Sequence, residues 1–169
     1  WDYDICAAAI LCDIPHNGKI VKALAQPTKQ SFLYVLNRET GEPIWPIVER
    51  KVIPGDVPGE WYSKTQPFPT KPGPMLTLGY DENELIEFTP QLREEGKKLA
   101  SEYTKGPLYT TPTMVTATNK GTWLYPGTGG GPNWNGAAFD PDTHMLYTPV
   151  RLKPQYAGLR AGDPKTTNM

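Results

Sequence analysis

Ser31-Phe32-Leu33-Tyr34-Val35-Leu36-Asn37-Arg38-Glu39-Thr40-Gly41-Glu42-Pro43-Ile44-Trp45 reads as a hairpin. Residues 31–36 are rich in β-branched and aromatic residues, as a half-buried strand requires. Residues 37–41 supply turn chemistry, since Asn bonds its own backbone two residues on and Gly accepts a positive φ. Residues 43–48 resume the strand pattern. Upstream, residues 5–14 form an apolar run ending at Pro15-His16-Asn17-Gly18, and Asn-Gly is a strong two-residue hairpin signal. Residues 19–26 continue with Ile20, Val21, Ala23 and Leu24. Four strands joined this tightly predict a single antiparallel meander over residues 1–48.

The whole composition agrees with an all-β reading. Nineteen Pro and sixteen Gly among 169 residues, with only 21% charged, describe a turn-dense chain. A net charge of −1 gives no reason to expect nucleic acid or an anionic membrane as partner. No apolar run is long enough to span a bilayer, and no signal peptide is seen. The chain opens at Trp1 without an initiator Met, so an upstream segment is expected. Cys6 and Cys12 fall within one expected strand, about 20 Å apart, which is too far for a disulfide along it. Both read as small buried side chains.

Residues 49–106 interrupt the strand rhythm. Pro54, Pro58, Pro67, Pro69, Pro72 and Pro74 crowd residues 49–75, which predicts a surface loop rather than a strand. Trp61, Tyr62 and Phe68 argue that this loop is packed. Thr89-Pro90 then opens a helix running toward Lys105-Gly106-Pro107, with Leu92, Leu99 and Tyr103 on one face. Strands are predicted again over 114–117, 122–125, 135–139 and 145–150, within a second unit spanning 107–150, and residues 151–169 read as a tail. Aligning Thr40 with Thr143 and removing the inserted residues 49–106 leaves a repeat of about 45 residues, the length of one propeller blade. The chain thus supplies about two blades, too few to close a propeller.

Several motifs in order resemble the pyrroloquinoline quinone (PQQ) dehydrogenases. They are Trp1-Asp2-Tyr3-Asp4, Lys29-Gln30, and the hairpin of residues 32–45, whose Asn37-x-x-Thr40-Gly41 turn and Trp45 look like the family's tryptophan-docking repeat. Residues 56–60, 65–72 and 129–141 (Gly-Gly-Gly-Pro-Asn-Trp-Asn-Gly-Ala-Ala-Phe-Asp-Pro) look like the membrane-bound glucose dehydrogenase branch. The resemblance implies a fragment of an eight-bladed β-propeller that binds PQQ and a divalent cation, usually Ca²⁺. It also implies oxidation of a sugar or alcohol hydroxyl, electron delivery to a quinone or cytochrome, and a periplasmic location.

By the same resemblance Asp2 is the general base on the substrate hydroxyl, and Lys29 contacts the quinone oxygens. Asn133 and Trp134 follow glycines that would let backbone approach a planar ligand, and would contact the cofactor. Trp45 has a structural docking role. The family's His-Asp ahead of Trp-Asp, its cation-holding Glu and Asn, its adjacent-cysteine ring and its tryptophan floor are not matched, so the Ca²⁺ ligands are expected mostly outside this chain. Pro132 and Asn135 also depart from the family's usual Ala and Gly. Taken alone, the turn-and-Trp repeats fit a non-catalytic propeller scaffold equally well, and a truncated inactive piece is a third reading. Exposed blade edges would pair with the remaining blades or with a second copy.

Overall fold

A computed structural model describes residue 1, residues 3–163 and residue 165. The chain is all-β, with ten strands and one α-helix among the described residues. Strands β1 (Ile10–His16), β2 (Lys19–Pro27) and β3 (Leu33–Asn37) form an antiparallel meander. The Asn-Gly signal holds: Asn17 and Gly18 both take positive φ (50° and 74°), and His16 pairs with Lys19 across the two-residue turn.

Register places Cys12 opposite Ala23, and Ala25 opposite Val35, so that one face of the sheet is apolar. Cys12, Ala23, Ala25, Leu33 and Val35 are buried there, beneath Trp45, Phe139 and Leu146. Burying a side chain such as Leu33 or Val35 is worth about 1.5–3 kcal/mol. The burial of Cys12 raises its thiol pKa. Phe139 and Leu146 come from the hairpin β8 (Ala138–Asp140) with β9 (Met145–Tyr147), so the first sheet shares its core with the far end of the chain.

The structure revises four expectations. First, the opening strand begins at Ile10, not residue 5, and Cys6 lies outside it, half-buried and unpaired. Second, the expected fourth meander strand reduces to one bridge, Leu36 to Pro43. The chain then forms β4 (Ile47–Lys51), which pairs with β5 (Thr65–Pro69). The Pro-rich segment therefore contains a strand. Its period explains why: Thr70 N–H donates to the Pro46 carbonyl, and strand alternation aims Phe68 and Gln66 the same way. Pro67 and Pro69 fall between them, so their missing donors face the open edge. The Pro67 carbonyl, on that edge, accepts from the Tyr34 hydroxyl at 2.9 Å.

Third, helix α1 (Pro90–Ala100) starts as expected, with the Thr89 hydroxyl accepting from Leu92 N–H at 3.2 Å, but it ends before Tyr103. Ala100 is its buried residue, while Leu92 and Leu99 are exposed. Tyr103 instead stacks on Tyr156 at 4.2 Å. Fourth, the expected tail carries β10 (Gln155–Leu159), which lies between β6 (Thr113–Met114) and β7 (Thr122–Leu124). Hence residues 107–150 do not close as one meander. The two turns that the repeat aligned are nonetheless built alike. Asn37 Oδ1 accepts from Glu39 N–H at 2.8 Å, and Asp140 Oδ1 accepts from Asp142 N–H at 2.9 Å.

Candidate active site

Lys29 sits in the turn between β2 and β3, and that turn is buried. Thr28 is 1% exposed, Lys29 8% and Ser31 0%. Its polar backbone is satisfied internally: Ser31 N–H donates to the Thr28 carbonyl at 2.9 Å, and Thr28 N–H to Phe32 at 3.0 Å. The loop of residues 127–136 closes over it. Gly131 N–H donates to the Lys29 carbonyl at 3.0 Å. A Cβ on Gly130 would lie 2.6 Å from the Cβ and Cγ of Lys29, and one on Gly131 would meet Ser31 Oγ. Gly130 and Gly131 therefore admit the lysine turn itself.

The ammonium emerges at the end of this clamped stem and pairs with Asp4, Nζ to Oδ2 at 3.1 Å. Asp4 belongs to the irregular N-terminal segment, which is tied down on both sides. The Tyr3 hydroxyl donates to the Pro126 carbonyl at 2.7 Å, and the Gln26 amide to the Ala7 carbonyl at 3.1 Å. Burial, with Tyr109 adjacent, pushes the Tyr3 hydroxyl pKa well above its ordinary value. Trp1 packs edge-on against Tyr109 at 5.1 Å and donates from Nε1 to the Thr110 carbonyl. Asp2 lies outside the described residues.

Asn133 and Trp134 occupy the far side of the glycine loop. The Asn133 amide is engaged within the loop, donating to the Gly129 carbonyl and accepting from Trp134 N–H at 2.7 Å. Trp134 is 78% exposed. They border a cleft of about 350 Å³ that also reaches Arg151. A second cleft of about 250 Å³ is lined by Gly129, Gly130, Arg151 and Lys153. No carboxylate pairs with Arg151 or Lys153 among the described residues.

The structure thus joins Lys29 to the glycine loop, with Asn133 and Trp134 farther along it. Sequence reasoning missed Asp4 and Arg151. Asp4 stood in the quoted Trp-Asp-Tyr-Asp motif, and its acidity two residues from Asp2 was the available signal. Arg151 had only its charge to mark it. Arg151 and Lys153 thus bring two cationic side chains to the cleft beside Gly129 and Gly130. Among the described residues no group of three or more His, Cys, Asp or Glu could hold a metal ion, and no helix is long and apolar enough to cross a membrane.

The family described as PQQ: glucose/ethanol/alcohol dehydrogenase, beta-propeller domain, matches residues 1–168. The glycerol dehydrogenase large subunit of Gluconobacter oxydans is 34% identical over 92% of this chain and 21% of its own length. The quinate/shikimate dehydrogenase (quinone) of Acinetobacter baylyi is 34% identical over 90% of this chain and 18% of its own. The quinoprotein glucose dehydrogenase of Escherichia coli is 30% identical over the same shares. The chain spans about a fifth of the length of these relatives, and no solved structure gives a significant match. With a match over nearly every residue, the chain belongs to the PQQ-dependent glucose/ethanol/alcohol dehydrogenase β-propeller family.

Proposed function

We propose that this chain forms one wall of the active site of a PQQ-dependent dehydrogenase that oxidises a hydroxyl of a sugar, polyol or other alcohol. The observation that carries this reading is the Lys29 turn: a lysine 8% exposed, with its stem locked by Gly130 and its ammonium paired with Asp4 beside the glycine loop. Burying a lysine is costly, and a fold with no use for its charge has little reason to keep it. Family membership supports a bound cofactor as the object of that charge.

PQQ, when bound, supplies the two-electron acceptor for substrate oxidation. Asp2 takes the proton from the substrate hydroxyl as general base. Lys29 would hold the quinone oxygens of that cofactor and present a fixed positive charge to them. Asn133 and Trp134 border the cofactor from the glycine loop, and Arg151 adds a guanidinium suited to a carboxylate. Ca²⁺ is the expected cation, held mostly by residues outside this chain. A quinone or cytochrome takes the electrons onward, in the periplasm. Residues 1–48 and 107–150 contribute to two blades, with 49–106 inserted between them and 151–169 following. The remaining blades complete the site, so the isolated chain is expected not to turn over.

The test is dye-linked oxidation of sugars and polyols by a full-length protein carrying this segment, loaded with PQQ and Ca²⁺. Asp2→Asn should lower turnover about 10²–10⁴-fold, the usual yield of general base catalysis. Wild-type turnover in that variant would remove Asp2 from the role.

A further inference from the structure

We infer that Asp4 is the positioning residue of Lys29, a counter-ion that seats the ammonium at the mouth of the glycine loop and shares it with an incoming quinone oxygen. The inference rests on Lys29 being a cofactor contact, and it adds a residue to which no role has been given.

Three observations carry it. The lysine stem has little freedom, because Gly130 abuts its Cα, Cβ and Cγ and Gly131 holds its carbonyl. The placement of the charge therefore depends on what meets Nζ, and Asp4 Oδ2 meets it at 3.1 Å. The two partners are also unequal in burial: the lysine side chain is 10% exposed and the aspartate 66%. A buried ammonium needs a compensating anion, whereas an exposed carboxylate can turn back to water at small desolvation cost. Finally, the segment bearing Asp4 is pinned on both sides, by Tyr3 to Pro126 and by Gln26 to Ala7. The carboxylate is thereby held in place without being part of a core. Asp4 need not be the sole partner of Lys29 for this role.

The experiment uses the full-length protein, with labelled lysines and the Lys29 resonance assigned through Lys29→Arg. In the apo form, the titration midpoint of Lys29 is followed by NMR in wild type, Asp4→Asn and Asp4→Glu. Loss of a carboxylate beside an ammonium favours the neutral amine, so Asp4→Asn should weaken proton affinity at Lys29 at least about threefold. Asp4→Glu should restore most of it. In the loaded enzyme Asp4→Asn should lower kcat about tenfold with KM little changed, because the group it positions acts on the developing charge. A wild-type Lys29 midpoint in Asp4→Asn overturns the inference, whatever the turnover. A separate titration of PQQ into Lys29→Ala keeps the two ideas apart. Unchanged PQQ affinity there would defeat the cofactor reading, while the Asp4–Lys29 coupling is read in the apo protein.

Discussion

Gly130→Ala puts the clamp on Lys29 to its hardest test. Gly130 has φ +70°, a conformation costing an L residue about 1–2 kcal/mol. The added Cβ would also lie 2.6 Å from Lys29 Cβ and Cγ and 2.7 Å from its Cα. The last of these is backbone, so the lysine turn or the glycine loop has to move. Overpacking of this kind costs about 1–3 kcal/mol, bringing the total to about 3 kcal/mol. Gly18→Ala is the matched control, with φ +74° and nothing within 4 Å of its Cβ position, so only the backbone cost of about 1–2 kcal/mol applies. Urea unfolding of the full-length protein measures both, provided the denaturant slope is unchanged. Hydrogen exchange at the Gly131 amide, which donates to the Lys29 carbonyl, should accelerate in Gly130→Ala alone. Equal destabilisation by the two substitutions would refute the argument that Gly130 is there to admit Lys29.

Two further predictions concern the strands that hold the site. Gln66→Pro should cost about 1–3 kcal/mol by removing a ladder donor aimed at β4, whereas Pro67→Ala, on the open edge, should change stability by less than about 1 kcal/mol; paired unfolding curves compare them, and a reversed order would disprove the assigned edge. Asp140 has its pKa lowered, first by the Thr143 hydroxyl and then by the Asp142 N–H. A carboxylate depressed by folding stabilises the hairpin above its unfolded pKa, and that support is lost as pH falls through the folded value. Amide protection in β9 should therefore decline on acidification below the usual 3.8, and more weakly in Asp140→Asn, which keeps an acceptor for Asp142; protection independent of pH in wild type would contradict this.

What could be read in the sequence was local. Asn17-Gly18 fixes a two-residue turn because both positions need positive φ, and Thr89-Pro90 starts a helix because cap and ring act within one turn. The pairing of β4 with β5 across thirteen intervening residues, Val52–Lys64, was not legible. Proline content argued against a strand there, and only the spacing of Pro67 and Pro69 at period two hinted that an edge could accept them. Likewise β10, Gln155-Tyr156-Ala157-Gly158-Leu159, has no β-branched residue to mark it and becomes a strand only because β6 and β7 offer it two edges. At the site, Lys29 was singled out by resemblance alone. Its burial and its closure by Gly130 and Gly131 arise from a contact across about a hundred residues that no local pattern encodes.

The most direct measurement is the PQQ dissociation constant of the full-length protein with Lys29→Ala, set against Lys22→Ala, which removes a surface lysine paired with Glu39. A charged hydrogen bond to a cofactor oxygen is worth about 1.5–3 kcal/mol, so Lys29→Ala should weaken PQQ binding by about ten- to a hundredfold. Lys22→Ala should leave it unchanged. Equal affinity in the two variants, both folded, would contradict the assignment of Lys29 to the cofactor.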